Sequence, residues 1–299
     1  MSRSLSTLRE GGHFFEGPRW HNGGWWVSDF YDHTVVIITT DGLAQTVMEV
    51  PGQPSGLGWM PDGSLLVVSM TDHKLLRRDL EGAVTEHAQF GEHCGGPAND
   101  MIVDVDGRAF VGNFGFDVMA GADPRLTNLV RVDPDGTVSV AAKDLYFPNG
   151  CVILPDECTL IVAETIGCRF TAFTIQPDGS LTDRRIWAQV ADTPELGSLN
   201  EVLAATKVAP DGCTLDADGN IWLADALGGR VLRVAEGGSI LEQIDMPQGL
   251  GAFACQLGGP DGTTLLICAA PDFDAHQRAA ATEAVLLTTT VDSPHAGRP

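Results

Sequence analysis

Five oxygen-bearing side chains recur at one fixed distance from a turn. Each stands eight positions ahead of the residue that ends a tight turn between two apolar runs: Glu16 before Gly24, Ser55 before Gly63, Asn99 before Gly107, Asn149 before Glu157 and Asp211 before Gly219. Equal distances from equivalent turns predict equivalent places in a repeated unit. If the units form a ring, Glu16, Asn99, Asn149 and Asp211 converge on its axis as hard oxygen ligands for one divalent cation.

The types of these side chains indicate which cation would bind. Carboxylate and amide oxygens, without histidine or cysteine, suit Ca²⁺ best and then Mg²⁺ or Mn²⁺, whereas Zn²⁺ more often recruits nitrogen or sulfur. Calcium takes about 6–8 oxygens, so four protein ligands would leave places for water and substrate. Two carboxylates without a basic neighbour also repel each other unless a cation lies between them. A structural channel of polar residues around ordered water is the alternative interpretation.

Turn signals in the sequence indicate the β-hairpins that would position these residues. Asp-Gly and related pairs recur roughly every 20–25 residues between β-branched and aliphatic runs, and Gly accepts the positive φ of a tight hairpin. The hairpins pair into units of four strands over 14–50, 56–87, 99–142, 149–189, 211–245 and 250–291. Six such units predict an all-β fold, a six-bladed β-propeller with four-stranded antiparallel blades.

The sixth unit shows only three clear strands in the sequence. We expect residues 5–9 to supply the fourth, so that the N-terminal strand closes the ring. The chain has 299 residues, more than most single-core domains, but a blade packs only on its neighbours, so one propeller domain over 1–299 is expected. A β-sandwich would give no reason for the constant distance of eight, and a parallel β-helix would lack antiparallel hairpins.

Composition and charge exclude several classes of function. The net charge of −22 and pI near 4.5 argue against a nucleic-acid partner, which needs a basic face. No apolar run has the length of a signal peptide or a membrane span, so a cytoplasmic location without a membrane partner is expected. The seven cysteines never form C-x-x-C, and reduced buried thiols are expected at Cys151, Cys213 and Cys268. A monomer or a small homo-oligomer is expected.

Four segments carry a family resemblance: EGPRW at 16–20, PANDM at 97–101, FPNG at 147–150 and PDGCTLDADGNIWLAD at 210–225. The chain resembles, over essentially its whole length, the senescence marker protein/gluconolactonase/luciferin-regenerating enzyme family, which includes regucalcin-type lactonases and is related to diisopropyl-fluorophosphatase. The resemblance implies a six-bladed propeller with a divalent metal in its channel. It implies Glu16, Asn149 and Asp211 as metal ligands, and Asn99 as either a fourth ligand or a substrate contact.

One departure from that family bears on the substrate. Its sugar-lactonase members carry an Arg two residues before the Asn-Asp pair, where this chain has Pro97. Apolar and aromatic side chains are expected to roof the channel, with the first three as substrate contacts: Phe114, Phe116, Phe147, Met119, Phe30 and Tyr31. The segment 191–209 reads as a loop with a short helix that could serve as a lid. Together they favour a lactone or ester less polar than an aldonolactone.

The resulting hypothesis is a metal-dependent lactonase or carboxylic-ester hydrolase. The cation would polarise the carbonyl, an activated water would attack it, and Asp211 would act as general base. Asp100 and Glu164 are weaker candidates for the base, and His93 and His276 are candidates for a proton shuttle. A serine nucleophile is disfavoured because no G-x-S-x-G elbow occurs. Phosphotriester hydrolysis at the same site and a non-enzymatic calcium-binding scaffold are the alternatives.

Overall fold

The chain forms a closed ring of six four-stranded antiparallel sheets, so the predicted six-bladed β-propeller is confirmed. The structure is a computed structural model and describes residues 3–298. Met1, Ser2 and Pro299, which the expected domain of residues 1–299 includes, lie outside the described residues.

The strands follow the hairpins that the turn signals predict. The first half of the chain contains β1 (Ser6–Gly12), β2 (Phe15–His21), β3 (Gly24–Asp29), β4 (Thr34–Ile38), β5 (Ala44–Glu49), β6 (Pro54–Trp59), β7 (Leu65–Ser69), β8 (Lys74–Arg78), β9 (Val84–Gln89), β10 (Ala98–Val103), β11 (Ala109–Asn113), β12 (Thr127–Val132) and β13 (Val138–Leu145). The second half contains β14 (Pro148–Ile153), β15 (Thr159–Glu164), β16 (Arg169–Ile175), β17 (Leu181–Gln189), α1 (Leu199–Ala205), β18 (Pro210–Leu215), β19 (Ile221–Asp225), β20 (Arg230–Val234), β21 (Ile240–Asp245), β22 (Gly251–Gly258), β23 (Thr264–Ala270), α2 (Ala275–Ala280) and β24 (Ala284–Thr290).

The first strand of every blade lies at the centre of the ring. These inner strands contact one another in the order β2, β6, β10, β14, β18 and β22, and β22 contacts β2 again. In the sixth blade the order is β22-β23-β24-β1, with Ser6 opposite Thr288, so the N-terminal strand closes the ring as expected. That strand covers Ser6–Gly12, beginning one residue later and ending three residues later than the expected 5–9.

The apolar core lies between neighbouring blades and not around one centre. Leu66 and Val68 of the second blade, for example, pack with Met101 and Val111 of the third, and all four are fully buried. Because each interface is small and repeated, the fold does not depend on a single large core. No helix within residues 3–298 is long and apolar enough to cross a membrane.

All seven cysteines are free thiols, which agrees with the expectation of reduced cysteines. Cys151, Cys213 and Cys268 are buried in strands as expected. Burial raises the pKa of each of these thiols, so they behave as small apolar side chains and not as thiolate ligands.

In two blades, a buried Asp at the end of the second strand binds the backbone amides of the residues that immediately precede the inner strand. Asp29, at the end of β3, accepts hydrogen bonds from the backbone amides of His13 and Phe14 at 2.9 and 3.0 Å. Asp225, at the end of β19, accepts one from the amide of Ala209 at 2.9 Å. Each acid therefore fixes the backbone a few residues ahead of the next inner-strand side chain that faces the channel mouth.

An imidazole on the far side of the ring gives a pH-dependent prediction. His21 stacks on Trp59 with ring centroids 3.8 Å apart, and burial lowers its pKa from the usual 6.5. The unfolded chain therefore binds this proton more readily than the folded one, so His21 lowers stability as pH falls below about 6.5 and has no such effect above it. We expect His21→Phe, which keeps the stacked ring, to lose less stability than wild type between pH 7.5 and pH 5.5 in urea unfolding. Equal losses in the two proteins would contradict this assignment.

Candidate metal centre and substrate cavity

The four candidate ligands lie together at the floor of one cavity. Glu16, Asn99, Asn149 and Asp211 are each the second residue of an inner strand, in the first, third, fourth and fifth blades. All four line the same cavity and are only 4–9% exposed. The ring of blades thus brings together side chains from Glu16 to Asp211 of the chain, as the equal spacing from the turns predicts.

The two remaining blades do not place an oxygen ligand in this cavity. Ser55 occupies the equivalent place in the second blade but is fully buried behind the cavity surface, where its hydroxyl donates to Asn99 Oδ1 at 3.3 Å. Its role is therefore to orient Asn99. In the sixth blade the strand register gives Ala252 as the equivalent, and the next residue, Phe253, lines the cavity.

Glycine follows the channel residue in four blades because the inner strands approach one another closely. A Cβ on Gly17, whose φ is +53°, would lie 2.6 Å from the Ser55 carbonyl oxygen. A Cβ on Gly150 would lie 2.6 Å from the Asp211 carbonyl oxygen. Without side chains at these positions, the strand that carries one candidate ligand packs directly on the strand that carries the next.

The third and sixth blades differ, with Asp100 and Phe253 where the other four have glycine. The Asp100 carboxylate forms a buried ion pair with Arg19, with Nη2 and Oδ1 2.6 Å apart and both side chains at most 5% exposed. The guanidinium also donates to the carbonyls of Pro18, Leu57 and Met101. Arg19 is therefore engaged below the cavity floor, where its direct ion pair is with Asp100 and its effect on the pKa of Glu16 is smaller than the effects of Asp211 and Asp100.

A hydrogen-bond network links the ligands of the fourth and fifth blades. The Asn149 amide nitrogen donates to Thr165 Oγ1 at 3.2 Å, and that hydroxyl donates to the Pro210 carbonyl at 2.8 Å. The same amide group also donates to the Asp211 carboxylate. Because the nitrogen of Asn149 makes these contacts, its carbonyl oxygen is the atom left to face a cation.

Both carboxylates in the cavity are held in an environment that disfavours their charge. Burial raises the pKa of Glu16 well above its usual value, and the neighbouring Asp211 and Asp100 raise it further. Burial likewise raises the pKa of Asp211, with Asp100 adding to the effect and the hydrogen bond from Asn149 opposing it. Two buried acids that repel each other fit a cation as their missing counter-charge.

The donor set is not one built on histidine or cysteine. Among residues 3–298, no cluster of three or more His, Cys, Asp or Glu side chains has the arrangement of a metal site. The cavity floor has two carboxylates, and its other candidate donors are amide oxygens. This composition suits a hard cation with several exchangeable positions, as Ca²⁺ has, and not a closed zinc site.

The walls of the cavity are apolar and rich in phenylalanine. Seven phenylalanines line it, and the space that they enclose measures about 90 Å³: Phe14, Phe30, Phe114, Phe116, Phe147, Phe253 and Phe273. Phe147 adopts a φ of +60°, an uncommon conformation for a bulky residue, and its ring lies 4.5 Å from that of Phe114. This backbone conformation directs the Phe147 ring to the cavity wall, where it packs on Phe114.

Most of the predicted roof residues are in these walls. Phe114, Phe116, Met119, Phe147 and Phe30 line the cavity, whereas Tyr31 packs against Phe14 and Phe30 from outside it. The predicted lid segment 191–209 contains the short helix α1, begun by a capping box at Ser198, and it contributes Leu203 and Ala209 to the lining. Pro97 is not among the lining residues.

The sequence did not predict several of the residues that line the cavity. Phe14, Ile166, Phe253 and Phe273 come from chain segments without a shared spacing. Phe14 and Phe253 had a usable signal, because each is a large aromatic at the mouth end of an inner strand. Ile166 lies in a 3₁₀ turn and Phe273 precedes α2, and nothing in the local pattern places either at the cavity.

The weaker candidates for acid–base chemistry lie elsewhere. Glu164 is fully buried, accepts hydrogen bonds from Tyr146 N and from Arg169, and does not line the cavity. Asp100 is paired with Arg19. His93 and His276 are also outside the lining, and none of the eight histidines, all within residues 3–298, contributes to it. Asp211 and Glu16 are therefore the ionisable groups at the floor.

Comparison with known proteins shows which sequences and folds the chain is similar to. A family model described as SMP-30/Gluconolactonase/LRE-like region matches residues 14–271. The pentonolactonase XacC of Haloferax volcanii is 28% identical over 219 residues, covering 72% of this chain and 67% of the relative. A 6-deoxy-6-sulfogluconolactonase of Pseudomonas putida is 27% identical over 229 residues, covering 76% and 72%. The crystal structure of a calcium-binding protein, regucalcin, from Agrobacterium tumefaciens superposes with a TM-score of 0.78 at 21% identity, covering 100% of this chain and 96% of that one.

Proposed function

Because the chain belongs to the SMP-30/gluconolactonase/LRE-like family, we propose that it opens a lactone, or a related ester, by hydrolysis that depends on one divalent cation. Glu16, Asn149 and Asp211 would hold the cation, and Asn99 would be a fourth ligand or a substrate contact. Ca²⁺ suits these oxygens best, with Mg²⁺, Mn²⁺ or Zn²⁺ as alternatives. The relatives named as lactonases support the reaction class.

One observation carries this proposal. Four oxygen-bearing side chains from four different blades meet at the floor of one cavity, and two of them are buried carboxylates. The nearest guanidinium, Arg19, is committed to Asp100. An arrangement that buries two acids without a basic partner costs folding free energy unless a cation compensates them, so the residues fit the proposed ion.

The cation would supply Lewis-acid polarisation of the lactone carbonyl. The chain's own residues do the rest. Asp211 accepts a proton from the attacking water as its oxygen bonds to the carbonyl carbon, and it returns that proton to the ring oxygen when the ring C–O bond breaks. The product is the hydroxy acid, and Asp211 returns to its ionised carboxylate form. The hydrogen bond from Asn149 fixes the orientation of the Asp211 carboxylate, the group that takes up and returns the proton.

The test is a panel of substrates with and without chelator. We expect calcium-loaded protein to hydrolyse γ- and δ-lactones, and EDTA to reduce the rate by at least about 10³-fold, since Lewis-acid polarisation is worth several kcal/mol and about 1.4 kcal/mol is tenfold. Readdition of Ca²⁺ should restore it. A panel that includes a fluorophosphate and an aryl ester separates the phosphotriesterase alternative.

Two outcomes would contradict the proposal. Lactone turnover that survives complete removal of metal would exclude a role for the cation. Absence of turnover on every lactone, with one calcium ion bound tightly at Glu16 and Asp211, would instead favour the calcium-binding scaffold.

A further inference from the structure

We propose that the lactone taken by this site carries a hydrocarbon substituent, an alkyl chain or an aryl ring, in place of the hydroxyl groups of a sugar lactone. This inference rests on the proposed lactonase function and names the substrate class of the same cavity.

Two aromatic walls face each other across the floor. One consists of Phe114, Phe116 and Phe147, from the third and fourth blades, with ring centroids of Phe116 and Phe147 5.9 Å apart. The other consists of Phe14, Phe30 and Phe253, from the first and sixth blades, with Phe14 and Phe253 4.8 Å apart. In a ring of six blades these two pairs of blades are diametrically opposite. A substrate above the floor therefore lies between aromatic faces.

The polar atoms of the cavity are confined to the floor. Only five of the residues that line it are polar: Glu16, Asn99, Asn149, Thr165 and Asp211. The Thr165 hydroxyl is already used, since it donates to the Pro210 carbonyl and accepts from Asn149. The walls thus offer no side-chain donor or acceptor for the ring hydroxyls of a sugar lactone. Each hydroxyl placed against phenylalanine would lose its hydration without replacement.

The way out of the cavity is apolar too. Met119 and Leu227 line its upper part and are 42% and 39% exposed, so the cavity opens to solvent between apolar side chains. Leu203 of α1 and Val118 lie in the same lining. A hydrocarbon substituent that leaves the aromatic slot would continue along these side chains, so the path accommodates a chain and not only a ring.

The experiment compares alkyl-substituted lactones with a sugar lactone on calcium-loaded protein. We expect kcat/KM to rise along γ-butyrolactone, γ-hexanolactone and γ-octanolactone by up to about fourfold per methylene group, as the transfer of hydrocarbon from water predicts. γ-Phenyl-γ-butyrolactone should be a substrate as well. Glucono-δ-lactone should have a kcat/KM at least about 100-fold below that of γ-octanolactone, because two or more of its hydroxyl groups would lie against phenylalanine without a hydrogen-bond partner, at roughly tenfold each.

Substitutions in the wall and at the rim make the test specific. Phe147→Asn keeps a residue type that tolerates positive φ while it replaces the ring with an amide. We expect the ratio of kcat/KM for γ-octanolactone to that for γ-butyrolactone to fall about tenfold in this variant, equivalent to about two lost methylene contacts. Met119→Thr should lower the ratio less. Leu126→Thr is the matched control, because Leu126 is 38% exposed in the same loop but does not line the cavity, and it should leave the ratio unchanged.

The outcomes separate this inference from the proposed function. If the alkyl lactones and glucono-δ-lactone are hydrolysed with equal kcat/KM, or the sugar lactone is preferred, the substrate class is wrong while the lactonase function stands. If Leu126→Thr and Phe147→Asn change the ratio alike, the aromatic wall does not set specificity and the inference is overturned. If no lactone is hydrolysed, the proposed function fails and this inference fails with it.

Discussion

Asp211→Asn is expected to lower kcat/KM for lactone hydrolysis by about 10³-fold even at saturating calcium, which is the usual scale for loss of a general base. The substitution keeps the size of the side chain and an oxygen that can accept from Asn149. It removes one of two buried carboxylates that repel each other, so the metal-free variant should be at least as stable as wild type. Loss of activity would then reflect chemistry and not unfolding.

Glu16→Gln separates the two roles assigned to Asp211. Glu16 is proposed only as a ligand, so Glu16→Gln should need more calcium than wild type for half-maximal activity. At saturating calcium it should keep a larger fraction of wild-type turnover than Asp211→Asn does. Asp245→Asn is the control for a neutralised acid in the blade of Asp211, because Asp245 is exposed on the outer strand β21. Full turnover of Asp211→Asn with calcium bound would rule out Asp211 as the base.

Arg19→Met is expected to reduce the free energy of unfolding by about 3–5 kcal/mol, the usual cost of breaking a buried ion pair. The loss has two physical sources. Asp100 would remain as an uncompensated buried charge beside Glu16 and Asp211. The carbonyls of Leu57 and Met101 would also lose their guanidinium donor.

A double variant and a surface control test this assignment by urea unfolding. Adding Asp100→Asn to Arg19→Met should restore part of the lost stability, because the stranded charge is then neutral. Arg185 and Glu236 form a pair whose side chains are 50% and 60% exposed. Arg185→Met should therefore change stability by less than about 1 kcal/mol. If Arg19→Met costs no more than this surface control, the buried pair does not hold the cavity floor together.

Local patterns in the chain were enough to predict the blades. A turn such as Asp62-Gly63 requires a positive φ that Gly63 adopts at 83°, and the runs on both sides form β6 and β7. Turn chemistry and strand propensity act over a few residues, so they can be read without knowing the fold. Closure by the N-terminal strand could be inferred as well, because the sixth unit lacked one strand.

The position of the candidate ligands was predictable for the same reason, but their individual roles were not. The equal distance from the turns predicted that Ser55 would face the channel with its oxygen, as Glu16 and Asn99 do. In the structure its short side chain is covered and hydrogen-bonds to Asn99. A glycine follows the channel residue in Glu16-Gly17, Asn149-Gly150 and Asp211-Gly212, and this was a readable sign of close strand approach. The pairing of Asp100 with Arg19, 81 residues apart, had no local signal.

By itself, then, the sequence determined the repeated unit, the number of blades and the ring of oxygen side chains, because periodicity is local and each blade repeats one pattern. Only the tertiary structure decided what surrounds that ring. The curvature of the whole propeller and the paths of its loops place Phe253 and Phe273 in the cavity wall. The same tertiary packing brings Arg19 and Asp100 together in a buried ion pair. These depend on packing between segments far apart in the chain, and no short-range pattern encodes them.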